Sequence, residues 1–193
     1  MSSFEFLSVF ISVVVGLGVA HLLIGIGRLI HSSADARLSI AHLLWTAFVF
    51  LFMVVYWWTV VFGYKEWQSW NIVLFLFVLM YGVFLFLLAV VLYPPDLPKP
   101  WDMQAHFIAT RRWFFGIFIL LVLTELTDTG LKNHFLQFSQ PYILLTGSWL
   151  LLAVLGWFST NQRTQNLIAG YQLVTLVAWV SYQLRDLEWY ISR

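Results

Sequence analysis

From Phe4 to Ile30 only Glu5, His21 and Arg28 interrupt an otherwise apolar or small-residue run. An α-helix rises about 1.5 Å per residue, so about 20 such residues cross the hydrocarbon core of a bilayer with every backbone group bonded internally. Six windows of this kind follow one another: Phe4 to Ile30, Leu38 to Phe62, Ile72 to Tyr93, Phe107 to Thr129, Tyr142 to Phe158 and Leu167 to Leu184. The expected fold is all-α, a polytopic integral membrane protein built as a bundle of about six transmembrane helices. One domain is expected, with no soluble domain.

Composition agrees with lipid as the solvent. Hydrophobic residues make up 61% of the chain and charged ones 10%, against about 45–50% and about 25% in an ordinary soluble domain. A net charge of +1 leaves no basic stripe to neutralise phosphates, so nucleic acid is not an expected partner. No cysteine is present, which excludes disulfides, thiolate metal sites and cysteine nucleophiles. The leader MSSFEF has no basic residue and the first apolar run is longer than a signal h-region, so this segment is expected to be retained.

The links HSSADAR, GYKEWQSWN, PPDLPKPWDMQAH, GLKNHFLQFSQP and STNQRTQN carry the Gly, Pro, Asn, Ser and charged residues of turns. Pro94, Pro95, Pro98 and Pro100 make the third link the stiffest. The side holding the first, third and fifth links has six basic residues (Arg28, Arg37, Lys99, Arg111, Arg112, Arg163) against four on the other (Lys65, Lys132, Arg185, Arg193). The positive-inside tendency then sets both termini outside the cytoplasm, and the expected location is the plasma (inner) membrane of a bacterium. Tyr56, Trp57, Trp58, Tyr64, Trp67 and Trp70 are expected at the outer headgroup level. Six helices split three and three would give two oppositely oriented halves, as in inverted-repeat transporters. The halves share little beyond SWN before the third window and TQN before the sixth.

Functional readings start from the residues that are costly in lipid. On the first helix Ser8, Ser12, Gly16 and Ala20 form a line of small side chains at intervals of four, suited to close approach by another helix. A second row holds Gly18, His21, Gly25 and Arg28. Either this row lines a pathway with His21 as the titrating group and Arg28 at its cytoplasmic mouth, or it is a packing face. In the packing case the glycines admit bulky neighbours, His21 bonds a neighbouring carbonyl and Arg28 reaches the headgroups.

Near the end of the fourth window Glu125 and Asp128 share a helix face, and buried charges need partners or water. Arg185 is the basic residue best placed to pair with them, with Lys132 judged to lie beyond the helix end. Together with Glu5, these carboxylates could instead form an acidic vestibule that attracts cations. Arg111, Arg112 and Trp113 follow a short amphipathic run, DMQAHFIAT, and read as an interfacial anchor on lipid phosphates, or more sharply as an anionic-lipid site.

No cofactor is expected. Haem on His21 and His42 would require a substantial shift between their helices, and no metal-ligand spacing, GxSxG or phosphate-binding glycine loop occurs. The leading functional expectation is an ion or proton channel or transporter, with its pathway along the first helix or between subunits of a homo-oligomer. The alternative is a non-catalytic partner or sensor subunit packed on another membrane protein or lipid. A haem or lipid-processing enzyme stands third.

Overall fold

A computed structural model describes residues 3–31, 36–64, 70–94, 101–132 and 139–191, with side chains from Phe4 to Gln183. Within those residues the chain forms α1 (Ser3–His31), α2 (Ile40–Gly63), α3 (Ile72–Leu92), α4 (Met103–Lys132), α5 (Gln140–Phe158) and α6 (Gln162–Ile191). Five of them, α1 to α5, are long and apolar enough to cross a membrane, which makes the fold an all-α membrane bundle. The sixth begins with Gln162, Arg163, Gln165 and Asn166 and lies against α2 and α5.

Local chemistry sets most boundaries. Ser39 accepts a hydrogen bond from the His42 amide at the start of α2, and Asn71 accepts one from the Leu74 amide at the start of α3. Pro141 occupies the first turn of α5, where its missing N–H costs nothing. The fourth helix is longer than its apolar window at both ends. Asp102 Oδ1 accepts from the Ala105 amide at 2.8 Å, so the run DMQAHFIAT is the first part of α4 and not a separate surface segment. At 30 residues, α4 is about 45 Å long, so it overreaches a hydrocarbon core of about 30 Å.

The second helix is the centre of the bundle. It packs against α1, α3, α4 and α6, while α1 on α3, α3 on α4, α4 on α5 and α5 on α6 complete the surround. The halves are not packed alike: α1 lies on α3, but α4 and α6 do not meet among the described residues. Lipid tails are as apolar as leucine, so close fit must hold these helices together. An aromatic layer provides much of it. The ring of Trp45 lies 4.8 Å from Phe114 and 5.2 Å from Phe118, while Phe48 is 5.5 Å from both Phe118 and Trp149. Nearly all these rings meet edge to face, the arrangement the ring quadrupole favours.

Glycines admit the large side chains. A Cβ at Gly18 would lie 2.6 Å from Met53 Cε, and one at Gly25 would lie 2.3 Å from Tyr93 Cγ. The inward face of α1 is thus the row containing Gly18, His21 and Gly25. Gly16 and Ala20 point outward, with nothing within 4 Å of a Cβ built at Gly16. Ser8 is half-buried, and exposed Ser12 accepts a 2.8 Å bond from Trp57 Nε1.

Candidate functional site

The end of the bundle at which α1 starts holds a cavity of about 370 Å³ enclosed by α2, α4, α5 and α6. Its walls include Phe52, Thr59, Tyr142, Trp149 and Trp179, and the carboxyl group of Glu125 lies among them. Glu125 is seven residues from the end of α4, about 10 Å along the axis. Phe52 and Trp149 belong also to the aromatic layer, which therefore forms part of the cavity wall.

The two carboxylates of α4 have different surroundings. Asp128 is bound by Lys132 Nζ at 2.6 Å, one helical turn on, and by the hydroxyl of Tyr64. The Lys132 ammonium also stands 4.5 Å from the centre of the Tyr64 ring, a cation–π contact. Glu125 meets hydroxyls: Tyr81 donates to Oε2, and Thr129 donates to Oε1 at 3.2 Å. Tyr142 is 3.4 Å from Oε1 and donates to Thr129 at 3.0 Å. Among the described residues no cation pairs with Glu125.

This arrangement overturns the expectation that Lys132 lies beyond the helix end. Lys132 is the cation on Asp128, because α4 continues to Lys132 and an i, i+4 spacing brings the two side chains together. The side chain of Arg185 lies outside the described residues. Glu5 is exposed on α1; among the described residues α1 and α4 do not meet, and Glu5 is not one of those that line the cavity with Glu125.

The tyrosines were the residues least legible beforehand. Tyr56 and Tyr64, read as headgroup anchors, are buried: the Tyr56 hydroxyl donates to the Val78 carbonyl and Tyr64 binds Asp128. Their signal was a phenol on a helix facing an acidic one, which has meaning only once the helices are paired. Burial, reinforced by the Asp128 carboxylate, holds the Tyr64 hydroxyl well above its ordinary pKa, so it remains a donor. Trp57 and Trp58 are exposed as expected, Trp70 is half-buried against Phe4 and Tyr64, and Trp67 lies outside the described residues.

The opposite end holds a second constellation. His106 of α4, His42 of α2 and His21 of α1 direct Nε2 at the carbonyls of Val91, Leu92 and Tyr93, at 2.9, 2.8 and 2.7 Å. A carbonyl only accepts, so each ring carries its proton on Nε2 in this arrangement. The cause lies in the sequence. The last carbonyls of a helix lack intrahelical donors, and Pro94 and Pro95 have no N–H with which to serve Val90 and Val91. The chain leaves helical geometry at Tyr93, which turns that carbonyl toward α1. His21 and His42, the pair weighed for haem, are therefore both engaged with backbone. Among the described residues no three His, Asp or Glu side chains are grouped to hold a metal.

Arg28, Arg37, Arg111 and Arg112 lie near this end. Arg28 is exposed beside a small cavity that His21 and Tyr93 also line. Arg111 donates to the Ile108 carbonyl at 2.6 Å, Arg112 is exposed, and Trp113 is exposed at 74% on the outer surface of α4. Arg37 meets Asp102 at 3.6 Å, tying the first link to the start of α4. The geometry thus offers one carboxylate with hydroxyl partners facing an aromatic cavity, and a histidine-capped helix end below it. No family model, no curated protein and no solved structure matches this chain.

Proposed function

We propose that the chain is a cation-binding integral membrane protein acting in ion or proton transport, with Glu125 as the group that receives the cation. One observation carries this reading: of two carboxylates three residues apart, Asp128 is ion-paired with Lys132, whereas among the described residues Glu125 makes no ion pair, meets hydroxyls, and feels Lys132 only at longer range, while lining a cavity. A carboxylate at membrane depth is costly without a counter-charge, and intramembrane ionisable groups mark ion pathways. Aromatic walls favour a cation further, because ring faces are electronegative.

The reading moves the cation site from α1 and His21 to the helices around Glu125. A complete route across the membrane requires the aromatic layer to shift or a second copy to contribute. In a bacterial plasma membrane with both termini outside, the cavity would receive its cation from the outer side.

Flux into liposomes tests this. Wild-type vesicles should pass protons or alkali cations, and Glu125→Gln should abolish the flux while the protein stays folded. A second reading, a non-catalytic partner subunit, is favoured by the outward position of Gly16 and Ala20, which leaves the α1 backbone open to a helix of another protein or a second copy. Wild-type vesicles silent to every ion would transfer the assignment to that class.

A further inference from the structure

Beside the Glu125 cavity a larger apolar groove of about 670 Å³ runs between α2 and α6. Leu51, Val54, Trp58 and Phe62 line it, together with Lys132 of α4, whose ammonium is paired with Asp128; Val54, Trp58 and Phe62 are 46%, 44% and 55% exposed on the lateral surface of the bundle. Val55, Thr59, Trp179 and Gln183 line both spaces. The groove and the cavity therefore share a wall, one side facing the lipid and the other facing the carboxylate.

That wall suits one kind of molecule. Tyr142, Trp179 and Tyr182 form a continuous aromatic run, with ring centres 5.7 Å and 5.9 Å apart, on the cavity side. Aromatic faces beside a carboxylate recognise ammonium groups, including those too bulky to donate hydrogen bonds. A divalent metal ion, which takes about six or more oxygen ligands, would ask for more than Glu125, Thr129 and the nearby hydroxyls supply. On the other side lies the apolar lateral surface of α2, one of the helices apolar enough to span a membrane, and of Trp179 and Val180 on α6.

We propose, building on the cation reading above, that the ligand is an amphiphilic amine that arrives from the bilayer, with its ammonium on Glu125 and its alkyl tail in the α2–α6 groove. The tail exchanges lipid neighbours for Val54, Trp58 and Phe62, an exchange between like solvents that contributes access and position rather than selectivity. Selectivity resides in the head. The carboxylate and the rings admit a cation and reject an anion carrying the same tail.

Photolabelling of the full chain in phosphatidylcholine nanodiscs tests this, using decylamine with a diazirine at the tail end. Adducts are expected on the α2 and α6 peptides that line the groove, displaced by decyltrimethylammonium and not by decyl sulfate. In Glu125→Gln, labelling should fall about tenfold or more, as the loss of a hydrogen-bonded charge pair implies; Glu125→Asp should restore part of it. Val54→Trp, which fills the groove and does not line the Glu125 cavity, should remove the adducts while tetramethylammonium still raises the unfolding temperature.

The outcomes separate the two readings. If tetramethylammonium stabilises the protein through Glu125 but decylamine adducts match those of an equivalent sulfate and survive Val54→Trp, the amphiphile is wrong and the cation site stands. If neither amine senses Glu125→Gln, both fall. Should Glu125→Gln fail to fold, Val54→Trp decides alone: adducts lost with the tetramethylammonium shift kept support the proposal, and any other result overturns it.

Discussion

His42 on α2 donates through Nε2 to the carbonyl of Leu92 on α3, at 2.8 Å, and so completes a helix end that the following prolines leave short of donors. His42 is fully buried, and its ring meets Tyr93 edge to face at 4.7 Å. His42→Ala removes the donor and leaves a buried carbonyl unsatisfied, at a cost of about 1–3 kcal/mol. Thermal unfolding in detergent should record that loss, with a smaller one for His21→Ala because His21 is only half-buried. Equal stability of His42→Ala and wild type would contradict the capping role.

The two α4 carboxylates should respond oppositely to neutralisation. Asp128→Asn leaves Lys132, whose side chain is 21% exposed, without its anion, and should destabilise by about 1–3 kcal/mol. Glu125→Gln keeps its amide oxygen as acceptor for Tyr81, can donate its NH2 to the Thr129 hydroxyl oxygen, and removes a charge that makes no ion pair among the described residues, so stability should hold or rise. Chemical unfolding of both variants gives the comparison, and a larger loss in Glu125→Gln would reverse the assignment of roles.

Glycine substitutions distinguish the inner and outer faces of α1. Gly25→Leu forces its side chain into the Tyr93 ring and should cost about 3 kcal/mol or prevent folding. Gly16→Leu meets nothing within the chain and should change monomer stability by less than about 0.5 kcal/mol. Loss of a larger particle in Gly16→Leu, seen by cross-linking in membranes, is the expected sign of a second chain on that face.

Alkaline pH should weaken the fold through Tyr64. An unfolded tyrosine ionises near pH 10, whereas in the folded chain burial and Asp128 raise the Tyr64 pKa, so the folded state retains the proton longer. Its contribution is complete below about pH 10 and declines above it, by up to about 1.4 kcal/mol per pH unit for one group. Tyr64→Phe should flatten the decline between pH 10 and 11; an unchanged slope would assign it to other tyrosines.

Helix existence was legible because it is local. Runs from Phe4, Ile72 and Tyr142 set α1, α3 and α5 to within two residues at each end, since an unbroken apolar stretch has no other way to satisfy its backbone in lipid. The ends of α4 were misjudged for the same reason in reverse. His106 and Lys132 are polar, yet the helix extends over both, as the Val91 carbonyl of α3 receives His106 and Asp128, one turn back on α4, receives Lys132.

Which face of α1 turns inward was not legible. Both rows contain small residues at helical spacing, and periodicity alone does not distinguish a row that receives Tyr93 and Met53 from one that faces outward. Likewise Glu125 was visible as costly, but not its hydroxyl partners, which come from Tyr81 on α3 and Thr129 and Tyr142 around it. The sequence by itself determined the medium, the number of helices and the residues that must be compensated, because hydrophobicity and backbone hydrogen bonding act over neighbouring positions. Only the tertiary structure decided that α2 is the hub, that three histidines meet one helix end, and that Tyr64 binds Asp128 while Tyr81 binds Glu125, because those contacts depend on which helices lie side by side.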